Sequence, residues 1–570
     1  MQVKRNCMFK ENNSYKQKGL FDVDQSLTKK QRKLWERSVE HRFFTEVFMN
    51  IDEASFSVLY SSVKSRPNVP VNQLIGSLVL KHMNDWTYNE LFKNLSFNSL
   101  TRHAIGIDNA GTDIFAEASL FNFQNKLIQH LHETGEDLVG NFFDKLTLSQ
   151  LEEFDIDTTI QRGDSFLIGS NIVDYSRLGL LIEVLLRFSR KLRAEDKTFF
   201  GELLVPYLGQ RSLEYVYKIE RSDIPKELEQ IGTLYYQLYT KLNGEYSELK
   251  EWAAFERAYK DYFVVEDEKV TLIPSSELGS NHLLSPDDLE ATFRNKNGRK
   301  SKGYVGHISE TAHPDNALNL VTDLSVGPNN LDDAAILEDR LEKMLDKTPQ
   351  LKEYHSDGGY GSPSLDRRME EENITQITTA VRGRKPFVEM RISTEEEAIK
   401  VDCQGGQQGI VTELSIDKQG RKRWKVTFDY DKCQNCPFAD KCRTIVQGIK
   451  KGNPKRAWYF GEKQLLKHQR EQNYHNLPVE RKKIRPNVEA TVKEMKKGMN
   501  NEKVRLRGSV QILFYMIFTA IGVNLGRIHR HESKKDKKGP KSDSKNHFSS
   551  ISIGYALRPL VVNYSFPIAA

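Results

Sequence analysis

The segment Glu353-Tyr354-His355-Ser356-Asp357-Gly358-Gly359-Tyr360-Gly361 reads as the end of a buried strand that stops on one carboxylate. Glycines follow at 358, 359 and 361, and Ser362-Pro363 then opens a helical run through Glu372. A strand–turn–helix junction of this kind exposes its acid at the carboxyl edge of a sheet, where open α/β sheets place their ligands. Glycines at the turn allow backbone, metal or phosphate to come close, because no Cβ intervenes. Asp357 is therefore the first candidate functional residue, and the rest of the chain is searched for its partners.

Outward from this junction, Ile374–Val381 reads as the next strand and Asp332–Leu345 as a preceding helix capped by its own Asp. Before these, Gly303–Glu310 and Ala317–Val326 alternate like paired strands around the turn cluster His313-Pro314-Asp315-Asn316. Phe166–Ile172 is strand-like and follows Arg162-Gly163-Asp164-Ser165. Between it and the hairpin, Arg177–Tyr262 carries leucines and aromatics at helical spacing, which predicts an α-helical insertion over 179–290. Without that insertion the order is a hairpin followed by βαβ, a mixed sheet of the ribonuclease-H kind built from 141–178 and 291–385. Residues 386–450 are β-rich, with Ile410–Ile416 and Trp424–Phe428, and form a second insertion. Residues 29–140 read as an all-α N-terminal domain. Pro70–Lys81, Thr87–Leu95 and Ser99–Ala104 suit either a helix-turn-helix DNA-binding unit or an ordinary bundle, and Ser119 is the expected cap of Leu120–His132. Residues 1–28 and the Lys-rich tail from Arg530 to Asn546 read as disordered, and 531–570 has no assigned role. The fold class is thus α+β/α/β.

The net charge of +6 over 570 residues hides an uneven distribution. From Arg443 to Arg507 there are 18 Lys/Arg against 6 Glu and no Asp, so the remainder of the chain is net acidic. With Trp458, Tyr459, Phe460 and Tyr474 interleaved, the basic stretch fits a nucleic-acid partner better than a merely solvated surface. The first residues, Met-Gln-Val-Lys-Arg-Asn-Cys, lack the apolar run of a secretory signal. Gly508–Gly526 has the length of a membrane span, but Gln511 and Asn524 interrupt it, and a buried closing helix is the expected reading. Cys403, Cys433, Cys436 and Cys442 include one Cys-x-x-Cys knuckle. They either close a structural Zn²⁺ site or remain as reduced thiols in a β subdomain, with Cys7 standing apart.

The sharpest amphipathic helix is Ile484–Met499. Ile484, Val488, Val492, Met495 and Met499 form an apolar stripe, with Pro486 in the first turn. Its other side carries Arg485, Glu489, Lys493 and Lys496, a single acid within a line of cations. On composition alone this is either i,i+4 pairing on a solvated face or a metal-directed acid among phosphate-binding cations.

Arg485-x₃-Glu489-x₆-Lys496 resembles the Arg-Glu-Lys part of the Tyr-Arg-Glu-Lys signature of bacterial insertion-sequence transposases with an Asp-Asp-Glu triad. Lys482 stands where that signature has its Tyr. Asp357-Gly-Gly-Tyr-Gly-Ser with Thr379-Ala-Val-Arg-Gly-Arg384 resembles the family's second-Asp region, and Gln161-Arg-Gly-Asp164-Ser-Phe with Ser170-Asn-Ile and Ser176-Arg177-Leu its first. The resemblance spans roughly residues 30–530 in the family's order and implies a ribonuclease-H-like core. Asp164, Asp357 and Glu489 would then bind two Mg²⁺ (or Mn²⁺) ions for phosphodiester cleavage and 3′-OH strand transfer. Asp155 and Asp157 are rivals for the first position. Arg485, Lys493 and Lys496 would hold phosphates, and Arg382 and Arg384 would guide the DNA backbone. Glu489 falls in the basic, closing-helix region 451–530. Trp424 is either a core residue or a platform for a flipped base. The implied partners are double-stranded DNA (terminal inverted repeats and target) and a second copy of the chain, with no membrane, in the bacterial cytoplasm at the nucleoid. A metal-dependent nuclease that never joins ends, and a DNA-binding regulator with a vestigial triad, are the alternatives.

Overall fold

The computed structural model describes residues 9–537 except 18, 20–21, 62–66, 110, 268, 297, 380–385, 396–397 and 417–421. Its central sheet contains β1 (Ile160–Gly169), β2 (Arg299–Thr311), β3 (Val321–Pro328), β4 (Glu353–Asp357) and β5 (Thr375–Thr379). They lie in the order β3-β2-β1-β4-β5, and a sixth strand, Thr292–Lys296, pairs with the start of β2. The pairs β3–β2 and β2–β1 are antiparallel, whereas β1–β4 and β4–β5 are parallel. Parallel neighbours need a crossover. The helix α3 (Pro363–Glu371), capped by Ser362, supplies it between β4 and β5, and α2 (Asp333–Lys347), capped by Asp332, packs beside it.

β1 begins six residues earlier than its apolar run implied, so Asp164 stands within the strand and not ahead of it. Polar residues enter this strand because both its faces are occupied. Phe166 and Ile168 join the main core, while Gln161 and Ser165 bond to Thr348 and Asp333 on the other face.

The helix α5 (Ser509–Lys537) passes the length and apolarity test for a membrane span, yet 67% of its most apolar window is buried inside the fold. Ile512, Met516, Phe518, Ile521 and Leu525 share one hydrophobic core with Phe166, Ile168 and Ile308 of the sheet. The same core includes Val71, Leu74, Ile75 and Leu78 of α1 (Val71–Met83). Asn524, which interrupts the apolar run, accepts from the Val321 amide at 2.8 Å and donates to its carbonyl at 3.0 Å. The N-terminal helices expected to form a separate domain therefore share their core with the sheet. The helix also continues to Lys537, into the stretch read as disordered.

The third short helix, Ser99–Ala104, is capped by Asn98 and has Thr101, Arg102, His103 and Ala104 buried. Arg102 donates to the carbonyls of Leu95, Asn109 and Thr112. A buried six-residue helix has no face to lay in a DNA groove, which favours the bundle over the helix-turn-helix reading. The next helix runs Glu117–Thr134 with Ala116 at its N-cap, so Ser119 lies inside it. Parts of the first 28 residues are also ordered: Tyr15 packs on Phe44 and Phe48, and the Val23 amide donates to Asp108.

The first insertion is helical from Arg177 to Tyr262, with its own core, and ends in the two-stranded pair Phe263–Glu266 and Lys269–Leu272. The second is an antiparallel six-stranded sheet running from Met390 to Gly461, past the expected boundary at 450. Trp424 is one of its core residues, buried and stacked on Phe460 at 5.3 Å.

Candidate active site

Parallel pairing of β1 with β4 runs from Ile160↔Glu353 to Arg162↔His355. Two residues further along each strand stand Asp164 and Asp357, which brings these acids side by side where the strands diverge. Asp155 and Asp157 precede β1, and the Asp157 carboxylate is taken up by the Thr159 amide at 2.7 Å. The neighbouring Gly163 cannot carry a side chain. An added Cβ would stand 1.8 Å from the Tyr354 hydroxyl, which bonds Ser309 at 2.8 Å.

Asp357 ends β4 as the N-cap of a 3₁₀ turn, and its Oδ1 accepts from the Gly359 amide at 2.6 Å. Gly361, read above as clearance for a ligand, lies against Arg470, whose guanidinium would be 3.0 Å from a Cβ there. That arginine is held by Asp366 of α3.

The single helix expected over Ile484–Met499 is one 3₁₀ turn, Arg485–Asn487, followed by α4 (Val488–Met495), with another 3₁₀ turn, Arg481–Lys483, just ahead of it. Pro486 explains the delay, since a residue before proline resists the α region and helix starts often tighten to 3₁₀. Ile484, Val488 and Met495 are buried as the stripe requires, and Glu489 sits in the first turn of α4. After α4 a turn with positive φ at Asn501 and Glu502 returns the chain to β1. There the Gly169 amide donates to the Glu502 carbonyl at 2.7 Å and the Val504 amide to the Gly169 carbonyl at 3.0 Å.

Arg485 joins the acids. One of its nitrogens lies 3.1 Å from Asp164 Oδ2 and another 2.8 Å from Glu489 Oε1. The Asp164 side chain is 15% exposed, whereas Glu489 is 67% exposed and faces solvent. Burial pushes the Asp164 carboxyl up to about 6; Arg485 opposes the shift and the nearby Asp357 and Asp333 reinforce it. Lys496 pairs with Glu502 at 3.0 Å, while Lys493 is exposed on α4. Arg485 and Lys496 are thus engaged with carboxylates. Arg382 and Arg384 lie outside the described residues, as do Val381 and Cys7.

Among the described residues, no three His, Cys, Asp or Glu side chains are gathered closely enough to hold a metal ion. Asp164 and Asp357 still fit a hard divalent cation by chemistry, as neighbouring carboxylates of which Asp357 raises the cost of ionising Asp164. Glu489 reaches them through Arg485.

Two features escaped the reading of the sequence. Asp333, at the start of α2, accepts from Ser165 at 2.6 Å and adds a further acid beside Asp164. Glu310 of β2 is completely buried and is held by Arg162, Arg527 and Thr491 at 2.6–2.8 Å. Arg162 also donates to the Ile484 carbonyl at 3.0 Å, so this cage ties β1, β2, α4 and α5 together two residues before Asp164 on β1. Arg162 stands two residues before Asp164, a visible cue, but its partner lies 148 residues away.

Residues 403–529 match the sequence model of a family described as a transposase DDE domain. The stretch includes Glu489, α4 and most of α5; Asp164 and Asp357 precede it. The match and the mixed α/β architecture support a DDE transposase, an enzyme class acting on DNA. No curated protein matches the chain.

Proposed function

We propose that this chain is an insertion-sequence transposase that cuts DNA at the element's ends and joins the 3′-OH to a target, using a ribonuclease-H-like core. The observation that carries the reading is the adjacency of Asp164 and Asp357 on parallel strands, with Glu489 tied to Asp164 through Arg485. The strand order β3-β2-β1-β4-β5, antiparallel then parallel, supports it.

Asp164, Asp357 and Glu489 would hold divalent Mg²⁺ or Mn²⁺. Bound there, two such ions supply a polarised attacking oxygen and charge stabilisation for the leaving one. Asp164 must be ionised to take part, and its raised pKa makes that readiness pH-dependent near 6. Arg485 neutralises two carboxylates in the free chain. A DNA phosphate arriving at this point offers it a bidentate anionic partner in their place. Lys483, Lys493 and Lys497 are exposed in the same segment as Glu489 and would give the DNA backbone a positive approach. The partners in this reading are terminal repeats, target DNA and a second copy of the chain, each copy acting on one element end, in the bacterial cytoplasm.

The test is cleavage of a labelled element end with Mg²⁺ or Mn²⁺ by the wild type and by Asp164→Ala, Asp357→Ala and Glu489→Ala. Metal-dependent nicking followed by joining, lost in all three variants, is expected. Nicking without joining would replace this reading with a nuclease, and DNA binding without nicking would replace it with a regulator.

A further inference from the structure

The β-rich insertion collects four thiols on one edge of its sheet. Cys403 ends the strand Ala398–Cys403, and a tight turn leads into the strand Gln408–Ile416. Cys433 lies in the short helix Tyr430–Gln434, Cys436 follows it, and Cys442 follows the 3₁₀ turn Ala439–Lys441. All four are reduced and half-buried.

Contacts of the Gly405–Gln407 turn link the sulfurs of three of the four. The Gln407 amide donates to Cys403 Sγ at 3.4 Å, and its side-chain Nε2 donates to Cys433 Sγ at 3.2 Å. One residue thus bridges the two loops through their sulfurs. Gly405 lies between the other pair: a Cβ there would be 2.8 Å from Cys436 Sγ and 3.6 Å from Cys403 Sγ. Cys442 closes the set from the far loop. It packs with Cys403 and Cys433 against the same small core, and the Cys433 thiol is pushed up by burial and by its neighbours Cys403 and Cys442.

Among the described residues the module's core is small for a six-stranded sheet: Met390, Ile392, Val401, Trp424, Val426, Phe428 and Phe460. Small cores of this kind commonly depend on a covalent or metal staple. Four thiols are the donor set that soft-ligand chemistry reserves for Zn²⁺ in closed tetrahedral sites. Among the described residues no three of these thiols stand close enough to hold a metal ion as they are. The ion itself draws them together, because metal binding and local folding are one equilibrium in such modules.

We infer that Cys403, Cys433, Cys436 and Cys442 bind one structural Zn²⁺ that fastens the 404–407 turn to the 430–442 segment. The site is separate from the carboxylates and does not depend on the proposed reaction.

The test uses the full chain, purified under a phosphine reductant after growth with added zinc. Elemental analysis should find about one zinc per chain. Chelator-stripped protein titrated with Co²⁺ should show thiolate charge-transfer bands and the visible absorption of a tetrahedral site. Cys433→Ser/Cys436→Ser should lose the metal, while Cys7→Ser should keep it. Because removing two half-buried thiols can by itself unfold the module, the stripped wild type is decisive. If it retains its circular dichroism and takes up Co²⁺ without thiolate bands, or if the folded double variant still holds a full equivalent of zinc, the site does not exist.

Discussion

Asp164 is costly to the fold at the position where the proposed reaction would use it. Its folded-state pKa of about 6 lies above the ordinary 3.8, so the folded chain holds the proton more tightly than the unfolded one. The stability this contributes is fully present below about pH 4 and is lost as pH rises through 6. Asp164→Asn, which never ionises, should therefore unfold at higher temperature than the wild type at pH 7.5, by on the order of 1–3 kcal/mol, with the difference shrinking toward pH 4. Mg²⁺ should stabilise the wild type and leave the variant unmoved. Calorimetry at several pH values, with and without metal, checks both. At the adjacent position, Gly163→Ala should cost about 1–3 kcal/mol, since the new methyl meets the Tyr354 hydroxyl. Adding Tyr354→Phe should recover part of that loss in urea denaturation; no recovery would mean that the backbone carbonyl of Ile308, 2.9 Å from the same Cβ, is the real obstacle.

Among the elements, α4 depends most on distant residues. It is only eight residues long, too short to be stable alone. The buried Glu310 holds it through Thr491, with Arg162 and Arg527 compensating the charge. Removing one cation leaves a buried carboxylate under-compensated, so Arg527→Ala should destabilise the chain by about 3–5 kcal/mol in denaturant unfolding. Replacing Glu310 by Gln in the same background should return part of that loss. Arg527 also contacts Glu494 of α4 at 2.9 Å, so the variant should loosen the Glu489 turn as well, which amide exchange across 488–495 would report.

For the whole molecule, α5 is the element that makes one body of the N-terminal helices and the sheet. Its apolar residues have no other cover, and their burial, at roughly 25 cal/mol per Å² of apolar surface, is the main cohesive term between the two. A chain ending at Gly508 should therefore lose cooperative folding and expose apolar surface to a hydrophobic dye. Melting of this truncation together with the full-length protein would show that α5 is dispensable.

What the sequence determined by itself was local. The Asp357 junction, the capped helices α2 and α3, the hairpin and the apolar stripe through Ile484, Val488 and Met495 were legible because periodicity, caps and turn residues act over a few positions. Asp164 could be named from its surroundings, but not distinguished from Asp155 and Asp157 by physics alone, since strand register decides which acid meets Asp357. Only the tertiary structure placed Arg485 between Asp164 and Glu489, caged Glu310 with Arg162 and Arg527, and wrapped a membrane-length helix in the core of the fold. Each of those depends on residues far apart in the chain, where pairing follows from packing and charge compensation and leaves no local pattern to read.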